Sequence, residues 1–229
     1  MALYVIGDLH LSLGTDKPMD VFGGRWEGYV EKLREGLSVI GPADTTVLTG
    51  DLSWALDIAD AKADFAFISA IPGRKIVLKG NHDYWWSTAA KFNKFCAENE
   101  FSEMYVLNNN CFFYGDVALC GTRGWFYEED RQGTHDEKVF RRELGRLETS
   151  LKAAGEREIY CFLHYPPRYR GYECSEFLQM LADYHVTRCY YGHLHGDSFK
   201  LALEGNFAGT EYRLVSADYV NFKPMKIMD

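Results

Sequence analysis

Short apolar runs that stop abruptly at polar residues recur along this 229-residue chain, and five of them share one layout. Residues 2–10, 46–51, 75–83, 159–164 and 189–195 each carry a hydrophobic run of strand length into Gly, Asp, Asn or His. Runs without alternation, such as residues 3–6 and Val47-Leu48, read as strands buried on both faces. Between them the apolar positions fall at helical spacing. Tyr29, Val30, Leu33, Leu37 and Ile40 predict a helix over 27–40 that Gly41-Pro42 ends. Positions 58, 65, 68 and 71 predict a second, closed by Pro72-Gly73, and 87–99 a third with Ser87 as N-cap. Strand and helix therefore alternate three times, which favours an α/β core with parallel pairing.

From Tyr105 onward the pattern changes to close-spaced strands at 104–107, 111–114 and 117–121, the last two joined by the hairpin signal Gly115-Asp116. A second sheet region follows from this. The stretch 136–154 reads as a long helix with a solvated charged face and Val139, Leu144, Leu147 and Leu151 for burial. A strand at 158–163, a helix at 175–184 and a strand at 187–191 come next, and the tail 198–220 suggests antiparallel strands. Residues 11–26 lack periodicity and form a long loop, a candidate lid; the Tyr-rich loop 126–135 is the other segment expected to decide specificity.

Composition narrows the class. With 47% hydrophobic and 25% charged residues, the chain reads as one globular domain over residues 1–229. A net charge of -8 disfavours long nucleic acid and anionic membranes and leaves small partners. No run approaches the roughly 20 apolar residues of a membrane span, and the N-terminus lacks the basic region of a signal peptide. The six cysteines form no C-x-x-C pair and sit mostly in apolar runs, so reduced buried thiols and a cytoplasmic home are expected.

The polar residues at the strand ends are Asp8, His10, Asp51, Asn81, His82, His164, His193 and His195, which include five of the seven histidines. A lone His after a strand is most simply a structural hydrogen-bonder; structural histidines have no reason to collect at strand C-termini beside Gly-Asp and Gly-Asn. Asp, Asn and His donors without thiolate suit Mn, Fe, Zn or Co. Seven potential ligands exceed the need of one tetrahedral ion and suit two ions sharing a carboxylate. Two such ions outweigh the charge of Asp8 and Asp51, a surplus that attracts phosphate and favours phosphoester hydrolysis.

The motifs Asp8-x-His10, Gly50-Asp51, Gly80-Asn81-His82-Asp83, His164 and Gly192-His193-x-His195, in this order, resemble those of the calcineurin-like metallophosphoesterases. The resemblance implies a four-layer αββα sandwich of two mixed sheets. It implies one metal held by Asp8, His10, Asp51 and His195, and a second by Asp51, Asn81, His164 and His193, with Asp51 bridging. It further implies a metal-bound hydroxide as nucleophile and His82 as general acid. Two nearby cations oppose protonation of His82, so a neighbouring carboxylate is needed, and Asp83 is the candidate.

The phosphoprotein phosphatase branch continues its Gly-Asp motif as Gly-Asp-x-x-Asp-Arg-Gly, whereas this chain reads Gly50-Asp51-Leu52-Ser53-Trp54-Ala55-Leu56. Phosphoprotein specificity is thereby disfavoured, and the anion clamp is sought at Arg123 and Arg168, with Lys79 as a further cation. Other stretches, such as Gly121-Thr-Arg-Gly-Trp125, are similar to an uncharacterised bacterial subgroup of predicted phosphohydrolases. Trp26, Trp54, Tyr84, Trp85, Trp86 and Trp125 can stack on a nucleoside or aryl leaving group or simply pack the loops. His135 and His185 fall outside the motifs and read as structural or surface residues. The function expected is hydrolysis of a small phosphomonoester or phosphodiester. Alternatives are a cyclic-nucleotide phosphodiesterase or nuclease, and a non-catalytic protein-binding module on the same fold.

Overall fold

Strands that are apolar on both faces need cover on both sides, and this chain supplies it in four layers. The computed structural model describes residues 1–17, 19–125 and 134–229. In chain order the first half contains β1 (Leu3–Ile6), α1 (Tyr29–Leu37), β2 (Thr45–Leu48), α2 (Lys62–Ser69), β3 (Arg74–Val77), α3 (Ala89–Glu98), β4 (Met104–Val106), β5 (Cys111–Tyr114) and β6 (Val117–Thr122). The second half contains α4 (Thr134–Lys152), β7 (Glu158–Leu163), β8 (Arg168–Tyr169), β9 (Tyr172–Glu173), α5 (Ser175–Asp183), β10 (Arg188–Tyr191), β11 (Gly205–Phe207), β12 (Thr210–Leu214) and β13 (Met225–Met228). One sheet has the order β13-β1-β2-β3-β4 and the other β11-β12-β10-β7-β6-β5, while β8 and β9 pair by themselves. Both sheets are mixed: the first is parallel except for its antiparallel β13 edge, and the second has a parallel centre with both edges, β11 and β5, antiparallel.

The strand pleat sends alternate residues to opposite layers. Ile6, Leu48 and Val77 face Leu33 and Leu37 of α1, Phe65 and Ile68 of α2 and Phe92 of α3. Leu3, Val5, Val47 and Ile76 face the other way, against Leu119, Tyr160, Phe162 and Tyr190 of the second sheet. On its far side Cys161, Leu163, Cys189 and Tyr191 meet Leu147 and Leu151 of α4 and Phe177 and Leu181 of α5. This is the αββα sandwich that the motifs imply. Each fully buried side chain of this kind stabilises by roughly 1.5–3 kcal/mol. The two sheets are joined where β1 and β12 end, since Gly7 N–H donates to Val215 O (2.8 Å) and Ala217 N–H to Gly7 O (2.9 Å).

Several boundaries differ from the sequence pattern for local reasons. α2 begins at Lys62 because the Asp57 carboxylate accepts from Ala59 N–H (2.9 Å) and Asp60 N–H (3.0 Å) and closes a separate turn ahead of it. Thr88, not Ser87, caps α3, its hydroxyl accepting from Lys91 N–H (3.2 Å). In the tail only β11 and β12 pair antiparallel as expected; β12 lies parallel to β10, and β13 adds an unanticipated antiparallel edge to β1. The 11–26 loop contains a 3-10 turn at Met19–Phe22, and Asp64 of α2 pins it by accepting from Leu13 N–H (2.7 Å) and from the Ser53 hydroxyl. The Tyr-rich stretch 126–133 and the His135 side chain lie outside the described residues. All six cysteines are free, and Cys111, Cys120, Cys161 and Cys189 are register partners across β5, β6, β7 and β10. Among the described residues, no helix is long and apolar enough to cross a membrane.

Candidate metal centre

Beyond the last residues of β1, β2, β3, β7 and β10 the backbone leaves the strand conformation, and there the eight polar side chains sit. Asp8, His10, Asp51 and His193 have φ of 57°, 48°, 51° and 73°, a left-handed conformation that side-chain-bearing residues avoid. Such residues cost of order 1–3 kcal/mol each and persist only where the surroundings impose them. Here the imposition is a zipper between the first two loops: Asp8 N–H donates to Gly50 O and His10 N–H to Asp51 O, both at 2.9 Å. Asp8 and His10 converge through these turns and not by strand pleat, as simple alternation suggests.

The side chains collect in two adjoining groups. Asp8, His10 and His195 offer ligand atoms within 4.8 Å of one another, and so do Asp51, His164 and His193. Asn81 joins the second group, its Oδ1 lying 2.6 Å from His164 Nε2 and 2.9 Å from His193 Nδ1. Asp51 stands between the groups: Oδ2 is 3.5 Å from His164 Nε2 and 3.8 Å from His10 Nε2, while Oδ1 accepts from His82 N–H at 2.8 Å. Two glycines make room for these carboxylates. A Cβ on Gly80 would collide with Asp51 Oδ1 and one on Gly192 with Asp8 Oδ2.

Two aspartates that do not face the cluster hold it in place. Asp83, expected beside His82, does a different job: Oδ2 accepts from Asp51 N–H (2.8 Å) and Gly80 N–H (2.7 Å), and Oδ1 from Leu52 N–H, Ser53 N–H and Trp85 Nε1–H. With five donors converging on it, this fully buried carboxylate ties the second loop to the third and is not the partner of the His82 ring. Asp218 was not anticipated from sequence. Its Oδ1 lies 2.8 Å from His195 Nδ1, and this bond turns Nε2 of His195 toward Asp8 Oδ1 at 3.5 Å. The Thr49 carbonyl does the same for His164, 3.1 Å from its Nδ1.

Electrostatically, burial opposes charge throughout the cluster, emptying three imidazoles of their protons while His195 and the carboxylates hold theirs more tightly. Burial pushes His10 and His164 well below the usual imidazole range and His193 down to about 3, with neighbouring histidines adding to the effect. Burial also raises Asp51 well above the carboxylate range, helped by Asp83 and Asp8. Against its own burial, His195 is carried up to about 10 by hydrogen bonds to Asp218 and Asp8. Nε2 of His10 and of His195 face each other at 3.2 Å, and Nδ1 of His10 is buried without a hydrogen-bond partner. Neutral imidazoles, an amide oxygen and carboxylates aimed inward at one another form a donor set that two divalent cations satisfy, so the residues present fit a dinuclear metal.

The remaining sequence candidates are distributed around this cluster. His82 borders a cavity of about 610 Å³ together with His10, His195 and Trp54, and burial followed by the charges of Lys17 and His195 lowers it to about 4. Arg123 lies behind His164, its carbonyl accepting from His164 N–H (3.0 Å); its guanidinium reaches Glu143 at 3.6 Å and borders a cavity of about 180 Å³ with Lys79, Arg142 and Arg146. Arg168 is placed elsewhere. It pairs with Glu173 at 2.9 Å, lies over Phe207 and borders a separate cavity that none of the cluster residues line. Of the aromatics, Trp85 is core, Tyr84 is exposed, and Trp54 stacks on His10 with centroids 5.0 Å apart.

Residues 1–197 match the pattern of the family described as calcineurin-like phosphoesterase. The chain belongs to this family. It is thereby a metal-dependent phosphoesterase, with two groups of donors for the ions. No curated protein matches the chain. Among solved structures it is similar to the phosphopantetheinyl hydrolase (PptH) from Mycobacterium tuberculosis, at 11% identity and a TM-score of 0.60 over 99% of this chain and 95% of that one. It is also similar to TT1561 of Thermus thermophilus, at 14% identity and a TM-score of 0.57 over 99% and 97%. The protein of unknown function AQ665 from Aquifex aeolicus matches at 18% identity and a TM-score of 0.53 over 98% and 95%. At these identities the likeness is one of fold.

Proposed function

We propose that this phosphoesterase hydrolyses a small phosphomonoester or phosphodiester, with Asp8, His10, Asp51 and His195 holding one ion, Asp51, Asn81, His164 and His193 the other, and His82 acting as general acid. The observation that carries this reading is the pair of adjoining donor groups with Asp51 between them and His82 beside them. When bound, two such ions supply Lewis acidity, neutralising phosphate oxygens and acidifying water.

The rest is work for the chain's own residues. Asp83 and Asp218 keep the donors aimed without touching the substrate. Burial and the Lys17 charge lower His82 to about 4 in the free protein, and a phosphate dianion beside it acts opposite to that charge and to the ions, favouring the protonated form that the acid role requires. Water adds to phosphorus as the P–O ester bond breaks, the His82 proton goes to the departing oxygen, and the proton given up by the attacking water leaves on the phosphate product or to solvent, from which His82 is reprotonated. Arg123 and Lys79, behind His164, keep positive charge on that side of the site.

A non-catalytic module on the same fold is disfavoured because every donor and His82 are retained in one place. The test is metal analysis of the purified protein combined with assay on aryl phosphate and bis-aryl phosphate in added manganese. Turnover of one of the two with close to two ions per chain is expected; ion binding without turnover of either ester, or of any in a wider phosphoester panel, would refute the proposal.

A further inference from the structure

We propose that the cavity over His82 is the leaving-group subsite, and that it takes an extended apolar or planar organic alcohol bearing negative charge at its far end. This deepens the phosphoesterase reading above and rests on it. A phosphoester cleaved with protonation of its leaving oxygen must place that oxygen beside the acid, so whatever His82 borders is what the leaving group touches. The cavity, about 610 Å³, falls within the roughly 300–1,000 Å³ of small-molecule sites. Beyond the histidines its apolar walls are Met19, Phe22, Trp26 and Trp54, and its charged lining is Arg25 and Asp218, the latter engaged by His195 at 2.8 Å. The Trp54 ring packs 4.4 Å from that of His82 and fixes the apolar wall beside the acid, so a group departing next to His82 enters an apolar cavity.

Two features of the mouth point to a ligand that completes it. Phe22, at the end of the 3-10 turn, is 61% exposed in the protein alone, an apolar ring at the rim of an apolar cavity that a bound organic group would cover. The second feature is charge. Arg25 lines the cavity, and among the described residues its guanidinium donates to the Asp218 carbonyl (3.3 Å) and lies over Phe199, while Lys17 Nζ, outside the lining, lies 3.6 Å over the Trp54 ring. Neither pairs with a carboxylate among the described residues, and the Asp218 carboxylate of the lining is taken by His195, so unpaired positive charge stands at this cavity on a chain of net charge -8. A small hydrophilic leaving group would leave the Phe22 ring uncovered and Arg25 without an anionic partner.

The test uses the manganese-loaded protein and three phosphates of primary alcohols, so that leaving-oxygen basicity is matched: ethyl, 2-phenylethyl and 2-(4-carboxyphenyl)ethyl phosphate. We expect kcat/KM to rise roughly thirty-fold or more from the first to the second, from burial of the ring, and about fivefold again for the third. Phe22→Ala should shrink the first ratio to within about fivefold, and Arg25→Gln should abolish the second. In ion-free protein the product alcohol 4-(2-hydroxyethyl)benzoate should quench tryptophan fluorescence saturably, less tightly in Phe22→Ala. Equal turnover of all three esters would overturn the subsite assignment and leave the phosphoesterase reading standing. No turnover of any ester by protein with two ions bound would overturn that reading instead, and the fluorescence titration alone then decides whether the cavity takes the alcohol.

Discussion

An imidazole that must give up a proton is usually held charged by a carboxylate, and among the described residues His82 has none: its Nδ1 meets the Tyr84 hydroxyl at 3.4 Å, and burial lowers it to about 4. Its contribution should therefore depend on how much the leaving oxygen needs a proton. His82→Ala is expected to cost at least about 100-fold in kcat on alkyl phosphoesters, less than about tenfold on nitrophenyl esters, with metal content unchanged. An equal loss on both kinds of ester would remove the acid role. Asp218 acts one bond further out, through His195. Asp218→Asn should weaken manganese binding at the Asp8, His10, His195 group about 10- to 100-fold, read by titration of ion-free protein. Unaltered affinity there would mean that packing alone orients His195. Nothing in the sequence marked Asp218, because a single Asp in Ser216-Ala217-Asp218-Tyr219 has neither motif nor spacing, and only the fold brings it under His195.

At the scale of elements, the site is a set of loops rather than a set of strands, and Asp83 is what binds the second loop to the third. Replacing it by Asn puts an amide N–H₂ in front of backbone donors that had a carboxylate. The expected cost is about 3 kcal/mol or more in urea denaturation of ion-free protein. Loss of turnover with stability intact would instead restore Asp83 to the side of His82. The strands that lead into these loops were legible because a run buried on both faces has to end where polar side chains begin, as at Ile6 before Asp8 and at Leu163 before His164. Conformation inside the loops was not, since the left-handed turns at Asp8, His10 and Asp51 are imposed by bonds between segments some forty residues apart. β13 escaped notice for a related reason: Met225–Met228 is a half-exposed edge that becomes a strand only because β1 offers it an open side.

For the whole molecule, the consequence of folding two sheets together is that donors from both are pressed into one place. The first sheet contributes Asp8, His10, Asp51 and Asn81, the second His164, His193 and His195, so each donor group spans the two sheets. Ions that bind this arrangement and not the unfolded chain must stabilise the fold by mass action, by about 4 kcal/mol for one ion at a thousandfold over its Kd. For a chain of this size that is roughly 8–16 °C in Tm. Protons are linked to the same event. In ion-free protein His195, raised to about 10 from 6.5, contributes stability that is fully present below pH 6.5 and is lost as pH rises through about 10. At pH 8 it is still charged, and an ion that takes its Nε2 must displace that proton. Manganese loading at pH 8 should therefore release at least about one proton per chain, measured from heats of binding in buffers of different ionisation enthalpy, and fewer in Asp218→Asn. Binding without proton release would show that the ion does not engage His195, and the first donor group would have to be redrawn.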